Sequence, residues 1–358
     1  MAKQRIYLDH AATSPLRPEA RAAMEEGFAL WANPSSPHAE GRKAKQALED
    51  ARDRIKRALK WDGEVIFTSG ASEALWIALN RAKVDRRIVS AVEHDAVFRA
   101  APDAEVVPIG KRAAVDPDKL FDMLKGDGHA LVAVQDVNSE TGNIQPVSKL
   151  APAIREMGGI VLSDCSQSAG KSPLPDADMM VVSSHKFGGP IGIGALLVRD
   201  LALLDPMGGH ERGYRPGTEN LPAVLGMAAA LEKWTSERDG QYSEIVQALM
   251  DVDDTAVEIG GSFITGAQFF EGGPSSTFIS AISHPTMSAQ ALLIRLDAAG
   301  FAVSAGSACS SGTLKKSRVL DAFGVPDDVA ARTIRVSMGW STTPEELNAF
   351  AEAWRSLT

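Results

Sequence analysis

The chain has 358 residues, of which 44% are hydrophobic and 23% charged, as is ordinary for a globular protein with one large or two medium domains. Its net charge of -9 argues against nucleic acid or a membrane surface as the main partner. The two cysteines, Cys165 and Cys309, are too few for a disulfide framework and lack the spacing of a zinc site, which favours a reduced, cytoplasmic location. We expect no secretory signal, because Met1–Ile6 starts no long apolar stretch, and no segment is apolar enough to span a bilayer.

Helical and strand patterns alternate along the first two thirds of the chain. Residues 40–60 have the period of an amphipathic helix, Asp116-Pro117 is typical of a helix start, and about 147–157 is again helical. Short apolar runs predict strands, which are Val65–Phe67, Ile88–Val89, Val106–Val107, Leu131–Val134, Ile160–Leu162 and Met179–Val182. This alternation predicts an α/β fold, with a mainly parallel sheet of about seven strands between helices. Ala195–Val198 follows its predecessor too closely for a helical crossover, so we expect it to be antiparallel.

The pattern changes to a smaller α+β region after about residue 240. Residues 221–236 predict a bridging helix, and Thr343-Pro344-Glu345-Glu346 is a capping box that opens the last helix. Strands are predicted near Phe278–Ile279, Ala302–Val303 and Ile334–Val336. We therefore predict a large domain over residues 14–240 and a small domain built from residues 1–13 and 241–358.

A lysine stands among small polar residues at the end of a predicted strand. Lys186 closes Ser183-Ser184-His185-Lys186, which follows Met179–Val182, and Asp164 opens Asp164-Cys165-Ser166-Gln167 after Ile160–Leu162. Ligands of open α/β sheets bind beyond the carboxyl ends of the strands, so these segments can meet in one crevice. An amine for a Schiff base, a carboxylate for the pyridine nitrogen and short donors for a phosphate are what pyridoxal 5'-phosphate requires.

The segment Thr68-Ser69-Gly70-Ala71-Ser72-Glu73 joins a predicted strand to a helix that begins near Ser72. Gly70 lets the backbone approach a ligand closely, and the free amides of a helix start favour an anion. Taken alone, the segment is more simply an ordinary turn with a serine N-cap. Beside Ser183 and His185, the phosphate interpretation becomes the better one.

Other polar residues allow two interpretations each. Asp164 is expected to be buried, either against a pyridinium or as a structural carboxylate. Gln167 can reach a cofactor ring, although by itself a solvated loop amide is favoured. His94 can stack on a ring and move protons, or simply start a helix at the surface. Cys165 is expected to be a buried, inert thiol.

Cys309 and Arg335 are candidates for action on a substrate. Cys309 lies in the small-residue segment Gly306-Ser307-Ala308-Cys309-Ser310-Ser311-Gly312, where little could bury a thiol, so a nucleophile is favoured over a structural cysteine. Arg335 alternates with apolar residues in a predicted strand. It is either a clamp for an α-carboxylate or a strand arginine that faces solvent.

Taken together, these segments resemble the cysteine desulfurases, which are NifS-like fold-type I pyridoxal-phosphate enzymes grouped with the class V aminotransferases. The resemblance covers nearly the whole chain, and its specificity comes from the order and spacing of many weak motifs. The matching segments are Tyr7-Leu8-Asp9-His10-Ala11-Ala12-Thr13, Asn33-Pro34-Ser35-Ser36-Pro37-His38, Thr68 to Glu73, Glu93-His94, Glu140-Thr141-Gly142, Asp164 to Gln167, His185-Lys186, Arg215-Pro216-Gly217-Thr218 and Gly306 to Ser311.

The resemblance implies how the cofactor is held. Lys186 forms the Schiff base, Asp164 contacts the pyridine nitrogen, Gln167 contacts the phenolic oxygen, and His94 stacks on the ring and assists proton transfer. Where the family usually has a second asparagine near the cofactor, this chain has Ser139, which either supplies that contact itself or leaves it to Asn138. The phosphate ligands that the resemblance implies are Ala71, Ser72, Ser183, His185 and, from the neighbouring subunit of a homodimer, Thr218.

The resemblance also implies a reaction. Arg335 and Asn33 bind the L-cysteine substrate, and Cys309 takes its sulfur as a persulfide and leaves L-alanine. A sulfur-acceptor protein, either a scaffold or a carrier, would then receive the sulfur for iron–sulfur cluster or other thio-cofactor biosynthesis. The alternatives are a selenocysteine lyase or another class V aminotransferase-type enzyme, and a non-catalytic regulator that kept the fold. An NAD-binding protein has little support, because no Gly-x-Gly-x-x-Gly motif follows a predicted strand.

Overall fold

The structure, a computed structural model, describes residues 5–110, 113–241, 243–264, 274–305 and 317–357. Its strands are β1 (Ile6–Tyr7), β2 (Glu64–Thr68), β3 (Arg86–Ser90), β4 (Glu105–Val107), β5 (Ala130–Ala133), β6 (Ile160–Asp164), β7 (Met179–Ser183), β8 (Gly194–Val198), β9 (Ser262–Phe263), β10 (Ile279–Ser283), β11 (Phe301–Ala302) and β12 (Thr333–Ser337). Its helices are α1 (Pro18–Ala29), α2 (Ala39–Leu59), α3 (Ala71–Arg81), α4 (Asp95–Ala100), α5 (Pro117–Leu124), α6 (Val147–Glu156), α7 (Leu221–Gln241), α8 (Ser243–Glu258), α9 (Ala289–Ala299), α10 (Arg318–Ala322), α11 (Asp327–Ala330) and α12 (Pro344–Arg355).

A seven-stranded sheet in the order β2-β8-β7-β6-β5-β3-β4 forms the centre of the fold. The strands from β3 to β7 pair in parallel, whereas β8 runs antiparallel to both β2 and β7. Every residue of β7 and β8 is buried, because helices cover both faces of the sheet. The predicted fold class is therefore confirmed, and so is the antiparallel strand that the short connection predicted.

Apolar side chains from the two faces of this sheet enter separate cores. On one face, α2 and α7 contribute Leu48, Ile55 and Leu231, and α1 packs against α7. On the other face, α3 and α4 contribute Leu75 and Val97. The helices thus cover the sheet faces and leave the carboxyl ends of the parallel strands accessible to a ligand.

The C-terminal part of the chain has its own small sheets. Strands β12, β10 and β9 form an antiparallel sheet, and β1 pairs in parallel with β11. Buried Leu8, Phe350 and Trp354 pack in a third core with residues of β10 and β12. The predicted capping box is confirmed, because Thr343 and Glu346 each accept a hydrogen bond from the other's backbone amide.

The division into domains at residues 13 and 240 stays a prediction, and α7 continues through the second boundary as far as Gln241. None of the described helices combines the length and the apolar character that crossing a bilayer requires.

Candidate active site

A cavity of about 580 Å³ opens where β2, β3, β5, β6 and β7 end. Side chains that are far apart in sequence meet there, because parallel strands place their carboxyl ends at one edge of the sheet. Most of the residues predicted for a cofactor and substrate site line this cavity. They are Ala71, Ser72, His94, Ser139, Asp164, Gln167, Ser183, His185, Lys186 and Arg335.

Lys186 ends a single 3-10 turn, Ser184–Lys186, that directly follows β7. Its Nζ donates hydrogen bonds to the backbone oxygens of Ala11 at 2.7 Å and Ala12 at 2.8 Å. Burial, together with the nearby charge of Arg335, lowers the pKa of this amine to about 8. A considerable share of the Lys186 amine is therefore neutral and nucleophilic near physiological pH.

Asp164 and Gln167 stand at the end of β6. Asp164 is half-buried rather than buried as predicted, because its carboxylate faces the cavity, where one of its oxygens accepts a hydrogen bond from the amide of Ser166 at 2.9 Å. Gln167 is only 5% exposed, so the solvated-amide interpretation is wrong. Its amide nitrogen donates to the oxygen of Ala11 at 2.9 Å, whereas its buried Oε1 has no hydrogen-bond partner within the described part of the chain.

The first turn of α3 lines the cavity. The helix begins at Ala71 after Gly70, so the alternative of a serine N-cap is wrong. Gly70 has a φ of +149°, which favours glycine, and a Cβ built at this position would meet no atom within 4 Å. The unpaired amides of this turn therefore face open space in which an anion fits.

Ser183, the last residue of β7, and His185, in the turn that follows, line the same cavity. Ser183 is buried, and the Nδ1 of His185 lies 3.1 Å from the hydroxyl of Thr13. Burial and the charge of Lys186 lower the pKa of His185 to about 4, so this imidazole is neutral at physiological pH. A neutral imidazole with one ring nitrogen free can donate a hydrogen bond to an anion.

His94 is the N-cap residue of α4 and is exposed, so it does start a helix at the surface. It also lines the cavity, and its stacking on a cofactor ring stays a prediction. Its Nδ1 accepts a hydrogen bond from the amide of Ala96 at 3.1 Å. That contact places the proton of the neutral ring on Nε2. Burial lowers the pKa of His94, against an opposing effect of Asp164, and so favours this neutral form.

Arg335 is buried inside β12, which excludes the interpretation as a strand arginine that faces solvent. Its Nη2 lies 2.7 Å from the carboxylate of Asp9, and its Nη1 donates to the backbone oxygen of Ser139 at 2.8 Å. Its Nε is buried and has no partner among the described residues. The two bonds fix the guanidinium in place and leave a second N–H on each terminal nitrogen.

The hydrogen bonds of Asn138 bear on whether Asn138 or Ser139 can contact a cofactor. The Asn138 amide donates to the oxygen of Val92 at 3.2 Å and accepts from the amides of Glu140 and Thr141 at 2.9 Å each. It is not among the residues that line the cavity, whereas Ser139 is. A swing of Asn138 toward a cofactor would break all of these bonds.

Two of the predicted residues that the structure describes are not brought to the cavity. Asn33 and Thr218 are exposed, and neither lines it. Cys309 lies outside the described residues. The other cysteine, Cys165, is fully buried as expected, and burial raises the pKa of its thiol well above the usual value, which makes it inert.

The structure also places charged residues at the cavity for which the sequence predicted no role, among them Glu93, Glu140 and Arg318. The carboxyl of Glu93 is buried and accepts from the amide of Gln135 at 2.7 Å, and burial raises its pKa well above the usual range. Glu140 accepts from the hydroxyl of Ser317 at 2.6 Å. Both glutamates stand in motifs that the sequence had singled out, but Arg318 has no signal, because its contacts are distant along the chain.

Comparisons with known proteins agree with this geometry. Residues 6–350 match the family model of the aminotransferase class V. The cysteine desulfurase IscS of Dictyoglomus turgidum is 34% identical over 97% of this chain and 92% of its own length. A NifS-like protein from Rickettsia africae has a TM-score of 0.89 at 26% identity over 99% of both chains. SspA, solved in complex with cysteine, has a TM-score of 0.78 at 26% identity over 93% of this chain and 98% of its own. The chain belongs to the class V aminotransferase family and, within it, to the cysteine desulfurases.

Proposed function

We propose that this enzyme is a pyridoxal-phosphate-dependent cysteine desulfurase that converts L-cysteine to L-alanine and takes up the sulfur as a persulfide on Cys309. The observation that carries the proposal is the amine of Lys186, with a pKa lowered to about 8, in one cavity with Asp164, Gln167 and Arg335. The relatives named cysteine desulfurase and the related structure that contains cysteine support the same activity and substrate.

The cavity fits pyridoxal phosphate by the chemistry of its donors and acceptors. Gly70 and the first amides of α3 leave room for a phosphate. The half-buried carboxylate of Asp164 also faces the cavity, and the buried Oε1 of Gln167 lacks a partner among the residues that the structure describes. The residues that we propose to hold the cofactor are Lys186, Asp164, Gln167, His94, Ser139, Ala71, Ser72, Ser183 and His185.

Each of these residues has a task that its environment supports. When bound, pyridoxal phosphate supplies an electron sink that weakens the bonds at the α-carbon of the amino acid. The carboxylate of Asp164 stabilises a positive charge on the pyridine nitrogen. Lys186 attaches the cofactor and afterwards moves protons, for which a pKa of about 8 is suitable. The neutral ring of His94 presents Nε2–H at the cavity, where it can hold or deliver a proton.

Arg335 is proposed to bind the α-carboxylate of cysteine. The contacts with Asp9 and the oxygen of Ser139 use one N–H of each terminal nitrogen, so the second N–H on Nη1 and on Nη2 is a donor that the carboxylate can use without breaking either contact. The thiolate of Cys309 then attacks the sulfur of the bound cysteine. The new S–S bond forms as the C–S bond breaks, and the remaining carbon skeleton leaves as alanine after it takes up a proton.

We propose a homodimer, because residues not used by this cavity cluster elsewhere on the surface. The hydroxyl of Ser35, in the same segment as Asn33, lies 3.4 Å from Nδ1 of His210. The same ring atom lies 3.2 Å from the carboxylate of Glu219, which follows Thr218. Trp31, two residues before Asn33 in the chain, is 80% exposed. A second copy would cover that tryptophan and receive Thr218, and also Asn33, at its own site.

Sulfur delivery is proposed to end on an acceptor protein, either a scaffold or a carrier. Iron–sulfur cluster assembly is the default destination, and the synthesis of other thio-cofactors is the alternative. A reduced, cytoplasmic compartment suits an enzyme whose thiol must stay free to react.

The test compares Cys309→Ala with Cys165→Ala in the full-length enzyme loaded with pyridoxal phosphate. We expect Cys309→Ala to bind the cofactor and to lose sulfur release from L-cysteine, because the nucleophile is gone, whereas Cys165→Ala keeps both properties. Borohydride reduction followed by mass spectrometry should place the trapped cofactor on Lys186. Unchanged sulfur release by Cys309→Ala would favour a selenocysteine lyase or another class V enzyme, and failure to take up the cofactor would favour a non-catalytic protein.

A further inference from the structure

Arg318, the first residue of α10, binds the beginning of α4. Its Nη2 donates to the backbone oxygen of Glu93 at 2.5 Å and lies 3.1 Å from the carboxylate of Asp95. Its guanidinium carbon is 3.8 Å from the centre of the Phe98 ring, in the same helix. Glu93 and Asp95 are the two chain neighbours of His94, so a single side chain from the C-terminal part of the protein holds both sides of that histidine.

Outside contacts decide where His94 lies, because α4 is short. The helix spans only Asp95–Ala100, and so few turns are marginal without support from their surroundings. Val97 packs into the core beneath the helix and fixes its depth. The bond from the Ala96 amide to His94 Nδ1 ties the ring to the first turn, so a movement of that turn is a movement of the ring. Arg318 holds that turn from the cavity side.

Arg318 also changes the charge around His94. The ionisable groups that act on the imidazole are Asp164 at the end of β6, Lys186 after β7, and Asp95 and Arg99 within α4. Glu93 precedes His94 in the chain, and Glu140 also lines the cavity, where both Asp95 and Arg318 act on its carboxyl. Because Arg318 is in contact with Asp95, it offsets the one anion in α4 that favours a protonated His94.

We propose that Arg318 is a positioning residue, which fixes the start of α4 and thereby sets the place and the charge state of the His94 imidazole in the cavity. This role rests on the proposed function for its effect on catalysis. Its effect on the histidine itself is independent of any substrate, so the two can be measured separately.

The chain offers a close control in Arg332. Its Nη1 donates to the backbone oxygen of Pro285 at 2.5 Å, and its Nη2 donates to the carboxylate of Asp328 at 2.7 Å. Like Arg318, it therefore contacts one backbone oxygen and one carboxylate, but it does not line the cavity. We therefore compare Arg318→Met with Arg332→Met. Arg318→Lys keeps the charge without the planar fork, and Asp95→Asn removes the anion that Arg318 offsets.

The first measurement is an NMR titration of the histidine rings in the full-length chain, with the His94 signal assigned by its loss in His94→Gln. In Arg318→Met the unbalanced charge of Asp95 should raise the pKa of His94 by about half a unit or more. In Asp95→Asn that pKa should fall, and in Arg332→Met it should stay as in the parent. If Arg318→Met does not fold, Asp95→Asn carries the test, and a His94 pKa that does not fall there overturns the proposal.

The second measurement separates kcat from KM for L-cysteine in the loaded enzyme. A misplaced His94 should lower kcat about tenfold or more with little change in KM, Arg318→Lys should recover part of the loss, and Arg332→Met should match the parent. A raised KM with unchanged kcat would make Arg318 a substrate ligand and overturn the proposal, as would an Arg318→Met enzyme that matches Arg332→Met in both measurements. If the parent enzyme has no activity on L-cysteine, the proposed function is rejected instead. The NMR titration of His94 still tests the role of Arg318 in that case, because it requires no activity.

Discussion

The guanidinium of Arg335 in β12 lies 2.7 Å from the carboxylate of Asp9, which follows β1, so the two ends of the chain meet at the cavity wall. The pair keeps a buried arginine from being an uncompensated charge. It also limits what the arginine can offer to a ligand, because Asp9 holds one N–H of Nη2 and the oxygen of Ser139 holds one N–H of Nη1.

Replacing Arg335 by lysine should raise KM for L-cysteine about 10- to 100-fold. A hydrogen bond to a charged group contributes about 1.5–3 kcal/mol, and an ammonium cannot hold Asp9, the Ser139 oxygen and a substrate carboxylate in the arginine geometry. Steady-state kinetics measure the change, with Arg332→Lys as the control and the absorbance of the bound cofactor as a check on folding. An unchanged KM would show that the carboxylate binds elsewhere.

Replacing Lys171 by methionine should stabilise the protein most at low pH. Among the described residues, no carboxylate lies within ion-pair distance of the Lys171 Nζ, which lies 5.8 Å from the centre of the Phe278 ring. Burial together with the charge of Lys186 lowers the pKa of Lys171 to about 7. A depressed lysine pKa destabilises the folded state in the pH range where the unfolded chain is protonated, fully so below about pH 7, and the effect fades as pH rises toward 10.5. We expect a gain of about 2 kcal/mol near pH 6 in urea unfolding, which disappears near pH 10. Exposed Lys119→Met should gain nothing, and an equal gain at both pH values would contradict the assignment.

Breaking the buried pair of Arg52 and Glu211 should cost about 3–5 kcal/mol of unfolding free energy. Their atoms approach to 2.8 Å, and both side chains are at most 4% exposed, so Arg52→Met would leave a buried carboxylate without its cation. Arg54→Met is the control, because Arg54 and Glu232 form a pair of similar geometry at 31% and 40% exposure. That control should lose no more than about 1 kcal/mol, and equal losses in the two variants would show that burial is not the cause.

Replacing Asp253 by asparagine should stabilise the protein at alkaline pH. Its carboxylate accepts a hydrogen bond from the hydroxyl of Ser280. Burial, together with the charge of Asp254, raises the pKa of Asp253 from the usual 3.8 to about 7. A raised carboxyl pKa contributes stability that is complete below about pH 3.8 and is lost as pH rises through 7. We expect Asp253→Asn to exceed the parent by about 1–2 kcal/mol near pH 8, with no excess near pH 4. Exposed Asp53→Asn should follow the parent throughout, and an excess that persists at pH 4 would point to packing instead of charge.

The sequence was sufficient for the sheet and for most of the cavity wall. Met179–Val182 and Ile160–Leu162 are continuous apolar runs, which indicate strands buried on both faces, and the residues just after such strands necessarily meet at one edge. For that reason Asp164 and Lys186 could be placed together without any knowledge of distances.

The remaining features depend on contacts between distant parts of the chain. Periodicity showed Arg335 in a strand but could not show that Asp9 already holds it. Composition suggested that Gln167 is solvated, whereas the opening segment of the chain covers it through the oxygen of Ala11. The contact between Arg318 and the start of α4 has no local signature at all, because its partners lie more than two hundred residues upstream.

The pairing of β1 with β11 carries a consequence for biosynthesis. The oxygens of Ala11 and Ala12 that orient Lys186 are held beside a strand near residue 301 and an arginine at 335. A ribosome-bound chain that stops before those positions emerge has a lysine but lacks the frame that orients it. Loading of the cofactor should therefore wait until residues 301–335 have left the ribosome, and deletion of Asp9 to Ala12 or of β11 and β12 should inactivate the enzyme although the central sheet can still form.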